Sequence, residues 1–162
     1  DYHRPGDFAS CCYFFGHISG QGSRTLYFAV GTSGGQILIF DGCREVTELI
    51  NAYGPNEEVA ELCGIPRTPS AFHVDHPLQL DDRDGLVVSL DSARIQLKLW
   101  DFRCPKTATC AVPRLSLALD APVQGAVLLP GTDRLTLSYP RRVAVMSIAH
   151  DSTHELTDVY TC

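Results

Sequence analysis

One plan is written into this chain more than once. "LYFAVGTSGGQILIFD" (Leu26–Asp41) and "GLVVSLDSARIQLKLWD" (Gly85–Asp101) each run through an apolar segment, a small polar turn, a second apolar segment and an aromatic-Asp pair. "DRLTLSYPRRVAVMSI" (133–148) repeats the plan more weakly, with Pro140 in the turn. The first two aromatic marks, Phe40 and Trp100, lie 60 residues apart, and the third unit's counterpart falls at Met146-Ser147, 46 residues after Trp100. An apolar segment ending in Gly or Pro precedes each hairpin: "ASCCYFFGH", "EVAELCGIP" and "VQGAVLLPG". A short segment follows each: "EVTELI", "ATCAV" and "ELTDVYT". The pattern predicts an all-β chain of three four-stranded antiparallel units, near 9–50, 58–112 and 123–161. A lone sheet of this size leaves one face wet, so repeated units of this kind stack on one another.

Local composition agrees. Ten prolines and thirteen glycines interrupt the chain every few residues, leaving segments too short for ordinary helices. In "RIQLKLW", Ile95, Leu97 and Leu99 fall on one face and Gln96, Lys98 and Trp100 on the other. "NEEVAELCG" also fits a helical turn through Val59 and Leu62, but its place before a hairpin makes it a strand. The longest insertion, 67–85, carries Asp81, Asp82 and Asp84 and reads as a surface loop, where partner contacts concentrate.

Four-stranded units of about 40–45 residues closing on Trp-Asp resemble WD repeats, whose units become the blades of a β-propeller. In that family a Trp on the third strand, a Ser or Thr on the second and a His before the first share a hydrogen-bonded cluster, and an Asp in the tight turn orients the His. Ser89, Asp91 and Trp100 fit three of those places. The His place holds Tyr53-Gly54 in "INAYG", so the resemblance implies an incomplete cluster. The expected fold is a partial WD-repeat propeller of about three blades, 1–162 forming part of one domain. Three blades do not close a ring, so closure is expected from further sequence or another chain. The absence of an initiator Met, with Met146 the only methionine, marks the sequence as an excerpt or a trimmed form.

Charge and cysteine usage narrow the setting. Formal net charge is −6 and the longest basic run is Arg141-Arg142, which argues against direct nucleic-acid binding through phosphates. No apolar stretch approaches about 18 residues, so no helical membrane span is expected. Seven cysteines, an odd number, lack CxxC spacing and sit mostly in apolar segments. That usage favours a reducing compartment, nucleus or cytoplasm. Vicinal Cys11-Cys12 reads as strand interior rather than redox switch.

Candidates for chemistry are few. "HVDH" (His73 to His76) with Asp81, Asp82 and Asp84 has the ligand types for Zn²⁺ or Mn²⁺, the basis of an alternative metal-dependent enzyme using the 73–84 loop. The simpler reading is a solvated loop, with no metal and no cofactor. "GTSGGQ" lacks the Lys-Ser/Thr ending of a phosphate-binding loop and reads as a hairpin turn. No G-x-S-x-G elbow occurs, and spacing selects none of His17, His150 and His154 as a base. Among the aromatics of the first unit, Phe8 stands at the mouth of the first strand, where a ring can hold a methylated ammonium.

The run "DFASCCYFF", "FAVGTSGGQILIFD", "AYGPNEEVAEL" and "GLVVSLDSARIQLKLWD" resembles the early blades of the extra-sex-combs / embryonic ectoderm development (EED) family, over about Asp7 to Asp101. The resemblance implies a non-catalytic subunit of a Polycomb histone methyltransferase complex in the nucleus, with a methyltransferase subunit and a histone tail as partners. The family's methyl-lysine cage has a Tyr where this chain has Ala9, which leaves Phe8 as the candidate ring. The broader alternative is a WD-repeat adaptor of another multiprotein complex.

Overall fold

The structure is a computed structural model, and it describes residues 8–18, 24–41, 45–65, 85–103, 112–149 and 154–161. They contain twelve strands and no helix. The first sheet consists of β1 (Ala9–Ile18), β2 (Arg24–Thr32), β3 (Gln36–Asp41) and β4 (Glu45–Asn51). The second holds β5 (Val59–Cys63), β6 (Leu86–Asp91), β7 (Gln96–Asp101) and β8 (Leu115–Ala118). The third holds β9 (Gly125–Leu128), β10 (Arg134–Ser138), β11 (Arg142–Ser147) and β12 (Leu156–Thr161). In each sheet the strands lie in chain order and pair antiparallel. β5 lies against β1 and β2 on one side and β9 on the other, so the first strands of the units form the inner edge of the stack.

One boundary differs from expectation. The middle sheet ends with Leu115–Ala118 and extends to 118, not with "ATCAV" near 112. The reason lies in the alternation. Leu115 and Leu117 pair with Leu99 and Leu97 and turn inward together, while Pro113 has no N–H to give a ladder. Most of "ATCAV" lies outside the described residues, as does the 67–84 part of the insertion with His73, His76, Asp81, Asp82 and Asp84.

The core is divided by the middle sheet. On its leading wall, Val87, Trp100 and Phe102 pack with Tyr27, Ala29, Ile37 and Ile39 of the first sheet. On its trailing wall, Leu86, Val88, Leu90, Leu97 and Leu99 pack with Leu128, Leu135, Leu137 and Met146 of the third. All six residues of β6 are buried. Both walls of one strand are therefore interior, which is why "LVVSLD" shows no clean alternation of apolar and polar residues. Each fully buried Val or Leu contributes about 1.5–3 kcal/mol, so these two interfaces dominate the stability of the unit between them.

The inner edge is held closely. Ser10 Oγ and Cys11 Sγ both donate to the Val59 carbonyl, at 2.6 and 3.2 Å. Tyr13 Oη donates to the Ile65 carbonyl at 3.1 Å, and the Leu128 amide reaches the Gly64 carbonyl at 3.3 Å. The Gly64-Ile65 pair thus receives hydrogen bonds from both neighbouring sheets. Gly31 is required where β2 meets β5, because a Cβ there would stand 2.6 Å from Cys11 Sγ and 2.7 Å from Val59 Cγ1. Gly31→Ala should lower stability by about 1–3 kcal/mol through overpacking. The check is urea unfolding, with a lower midpoint at unchanged slope; an unaltered midpoint would contradict this account of the contact.

Candidate functional site

The polar cluster between the first two sheets is continuous. The Trp100 indole N–H donates to Ser89 Oγ at 2.9 Å. Tyr53 Oη lies 2.9 Å from the same Ser89 Oγ and 3.3 Å from the Gln96 carbonyl oxygen, to which it donates. Ser89 then donates to Tyr53 and accepts from Trp100, which satisfies a donor-only indole and a buried hydroxyl together. Ser89 is fully buried and Trp100 is 1% exposed. The expectation of an incomplete cluster is corrected: Tyr53 supplies from the β4–β5 link the hydrogen-bonding group that the family pattern assigns to His. Burial raises the Tyr53 phenol well above its ordinary value, with Asp91 adding to the shift against the Ser89 hydrogen bond.

The remaining polar groups are assigned differently from the family pattern. Asp91 does not reach Tyr53's hydroxyl by a hydrogen bond; its Oδ1 accepts the Ile95 and Gln96 amides at 2.9 and 2.8 Å and fixes the β6–β7 turn. Thr32 does the same in the first unit, its Oγ1 accepting the Gln36 amide at 3.1 Å. Lys98 bonds the Ala52 carbonyl and lies 4.7 Å from the Tyr53 ring centroid, so its charge rests on the ring that it encloses. Asp101, the carboxylate beside the indole, pairs with Arg103 in a two-pronged contact. Burial raises its pKa, but the Arg103 hydrogen bonds and charge outweigh that and hold it below the usual carboxylate range.

Register shows what became of the cluster elsewhere. Val87 pairs with Trp100, as Phe28 pairs with Phe40 and Leu135 with Met146. Val30 and Leu137 therefore stand at the place of Ser89. The first and third units carry apolar residues at those positions, and the third unit's mark falls at Met146 as the spacing predicts.

The end of the sheets that carries the β2–β3 and β6–β7 turns also carries Phe8. Phe8 is 62% exposed. Its amide donates to Ser33 Oγ at 3.1 Å, and the Ser33 amide donates back to the Phe8 carbonyl at 3.0 Å. Across the same turn Gly35, at φ +79°, presses on the Gly54 and Glu57 carbonyls. Only glycine takes this conformation readily, and a Cβ would meet Gly54 O at 2.6 Å. The turn thus joins the exposed ring to the 54–58 link, where Glu57 is exposed and Glu58 half-buried. No second ring among the described residues stacks on Phe8, so the ring is a single exposed aromatic rather than part of an enclosed cage.

Other sequence candidates separate. Cys11 points toward Val59, whereas Cys12 on the opposite face is exposed, so the vicinal thiols diverge. Cys11, Cys12 and Cys63 are all free thiols. Burial, aided by Glu61, pushes the Cys63 thiol up to about 12. His154 Nδ1 lies 3.0 Å from the Ser147 carbonyl. The imidazole of His17 and the whole of His150 lie outside the described residues, and no three His, Cys, Asp or Glu side chains among the described residues converge as metal ligands.

Three stacked antiparallel four-stranded sheets with their first strands innermost are part of a β-propeller. Among solved structures the chain is similar to the β-propeller domain of Cps50 (Swd1) from Myceliophteria thermophila, at 14% identity and a TM-score of 0.59, over 93% of this chain and 37% of that one. It also matches Hsv2 from Kluyvelomyces marxianus at 12% identity and a TM-score of 0.47, over 91% of this chain and 38% of that one. The chain spans little more than a third of the length of either. At such identities the likeness is one of fold. No family model matches the sequence, and neither does a curated relative.

Two measurements check the site. Ser89→Ala leaves the Trp100 N–H without an acceptor and should cost about 2–3 kcal/mol, whereas Tyr53→Phe should cost about 1 kcal/mol. The reverse order in chemical unfolding would show that Ser89 is not the shared centre. Alkylation at pH 8 followed by mass spectrometry should label Cys12 before Cys11, and Cys63 only after unfolding; early labelling at Cys63 would contradict its burial.

Proposed function

We propose that the chain is a non-catalytic protein-interaction scaffold, and that the Phe8 end of the sheets receives a basic peptide. The observation that carries this reading is the exposed Phe8 ring, held by its backbone to Ser33 and joined through that turn to the link bearing Glu57 and Glu58. A ring face attracts an ammonium group, and nearby carboxylates favour a basic partner over an acidic one. The propeller body supports the reading, because its hydrogen-bonding side chains between sheets are engaged in holding walls together.

The finer form follows the resemblance to the EED family. The scaffold is a subunit of a nuclear histone methyltransferase complex of the Polycomb kind, and the peptide is a histone tail carrying methylated lysine. Neither the Polycomb setting nor the nuclear location rests on the Swd1 or Hsv2 likeness, which is one of fold. An adaptor role in another complex shares the same body and differs only in the peptide.

Fluorescence polarisation with a lysine-rich histone-tail peptide, unmodified and trimethylated, tests the surface. Binding should weaken several-fold in Phe8→Ala and with rising salt. Equal affinity of wild type and Phe8→Ala would remove Phe8 from the site. Tighter binding of the trimethylated form supports the methyl-lysine reading, while equal binding of both forms favours the adaptor. Recovery of a methyltransferase subunit by affinity purification from the source cells would support the Polycomb assignment, and its consistent absence would end it.

A further inference from the structure

The inner edge of the stack is interrupted at one register. β1 and β5 each bulge there, leaving Ser10 and Ala60 without a cross-strand partner. A bulge re-aims the side chain beside it. In β1 that side chain is Cys11, which donates to the Val59 carbonyl at the start of the next unit. In β5 it is Glu61, whose Oε2 meets Arg94 Nη1 at 2.7 Å. The same Nη1 lies 2.9 Å from the Gln124 carbonyl oxygen and 3.4 Å from that of Val123, where the third unit begins. The Arg94 guanidinium therefore stands at the inner edge, beside the β6–β7 turn. The seam that it occupies has a sheet of this chain on either side.

Arg94 is fixed from its backbone outward. Its amide donates to the Asp91 carbonyl at 3.0 Å, its carbonyl accepts the Val123 amide at 3.1 Å, and its φ is +58°. All of its side-chain contacts fall on Nη1. Nε and Nη2 make no hydrogen bond among the described residues, and the side chain is 34% exposed. Those two nitrogens share one edge of the planar guanidinium, with two N–H bonds side by side, which is the fork that fits the two oxygens of a carboxylate. A loose surface arginine must lose side-chain freedom to hold out such a fork. Arg94 has lost it in folding, so that cost does not fall on binding.

We infer that Arg94 anchors a carboxylate of a protein partner, an Asp or Glu side chain, at the mouth of the propeller's channel. Charge selects carboxylate over phosphate. Glu61 neutralises Arg94 on its other edge, so the attraction comes from two charge-assisted hydrogen bonds rather than from net charge. One further negative charge is then tolerated better than the charge of about −1.5 to −2 on a phosphorylated side chain. The site is separate from Phe8, which bonds the β2–β3 turn of the first unit, and either can fail alone.

The test is a nuclear magnetic resonance titration of the 15N-labelled 162-residue chain with capped Gly-Glu-Gly, Gly-Gln-Gly and Gly-phosphoserine-Gly peptides. The signals to follow are the Arg94 Nε–H and the backbone amides of Gln124 and Gly125. The Glu peptide should shift them saturably, and the Gln peptide should not. Arg94→Lys keeps the charge without the fork and should weaken the Glu peptide several-fold. Where that variant does not fold, Arg94→Gly suits the φ of +58° and should abolish binding. Glu61→Gln removes the opposing charge and should tighten the Glu peptide several-fold, which a purely structural role for the pair would not do. Absence of a shift, equal shifts with Glu and Gln peptides, tighter binding of the phosphoserine peptide, or affinity unchanged by the Arg94 and Glu61 substitutions would each overturn the proposal.

Discussion

A four-stranded sheet has two walls, and water is a poor neighbour for both when both carry Val and Leu. Everything in this structure follows from how that is resolved. The middle unit buries its walls on opposite sides, against different partners, and keeps Leu86, Val88 and Leu90 with one and Val87 and Trp100 with the other. No part of that unit can fold to its final packing alone. Its stability is a property of interfaces, as expected for stacked repeats in which nearest-neighbour contacts carry much of the free energy.

Apolar contact alone does not fix the angle or height at which two sheets meet, because dispersion and hydrophobic burial are weakly directional. Hydrogen bonds supply that direction. Between the first two sheets it comes from Tyr53, Ser89 and Trp100 at one end of the walls and from Tyr13 at the other. Between the second and third it comes from the Leu128 amide on the Gly64 carbonyl and from Arg94. That residue, at φ +58°, reaches Glu61 at 2.7 Å within its own sheet and the Gln124 carbonyl at 2.9 Å in the next link. An arginine held in the left-handed region costs about 1–3 kcal/mol. The fork of bonds from one guanidinium to a carboxylate and a carbonyl is the evident compensation.

The repeat was legible because it is a matter of spacing. Hairpins with small polar turns, and the Trp-Asp mark, carry their own local signals, and eleven of the twelve observed strands fall on segments that the pattern picks out. The twelfth, Leu115–Ala118, is only four residues long, and its neighbour "ATCAV" offered an equally apolar run. What separates them is pairing with Leu97 and Leu99, a tertiary fact. The role of Tyr53 was hidden for a related reason. A family pattern names residue types, whereas the wall requires only a hydroxyl or ring nitrogen at a given point. Tyr53 meets that requirement with a longer reach than His, and Lys98 covers its ring. The sequence signal for Lys98 was present in the alternation that sets it on the same face as Trp100. Phe8 could be singled out as an aromatic at a strand mouth, but its exposure depends on the turn at Ser33 folding beside it.

Replacing His by Tyr at a buried junction also changes what the junction responds to. An imidazole titrates near neutrality, so a cluster built on it can gain a charge inside the wall within the physiological range. The Tyr53 phenol, raised by burial, stays neutral there and offers one fixed donor and one acceptor. Ser89 consequently keeps the same hydrogen-bond direction from Trp100 to Tyr53 whatever the pH between 5 and 8. The apolar residues at the same register in the other two units, Phe40 with Val30 and Met146 with Leu137, are likewise indifferent to protons. The hydrogen-bonded and apolar contacts at this register therefore hold their geometry across that pH range, while the partly exposed ion pairs, Arg94 with Glu61 and Asp101 with Arg103, are contacts within these sheets that salt can weaken.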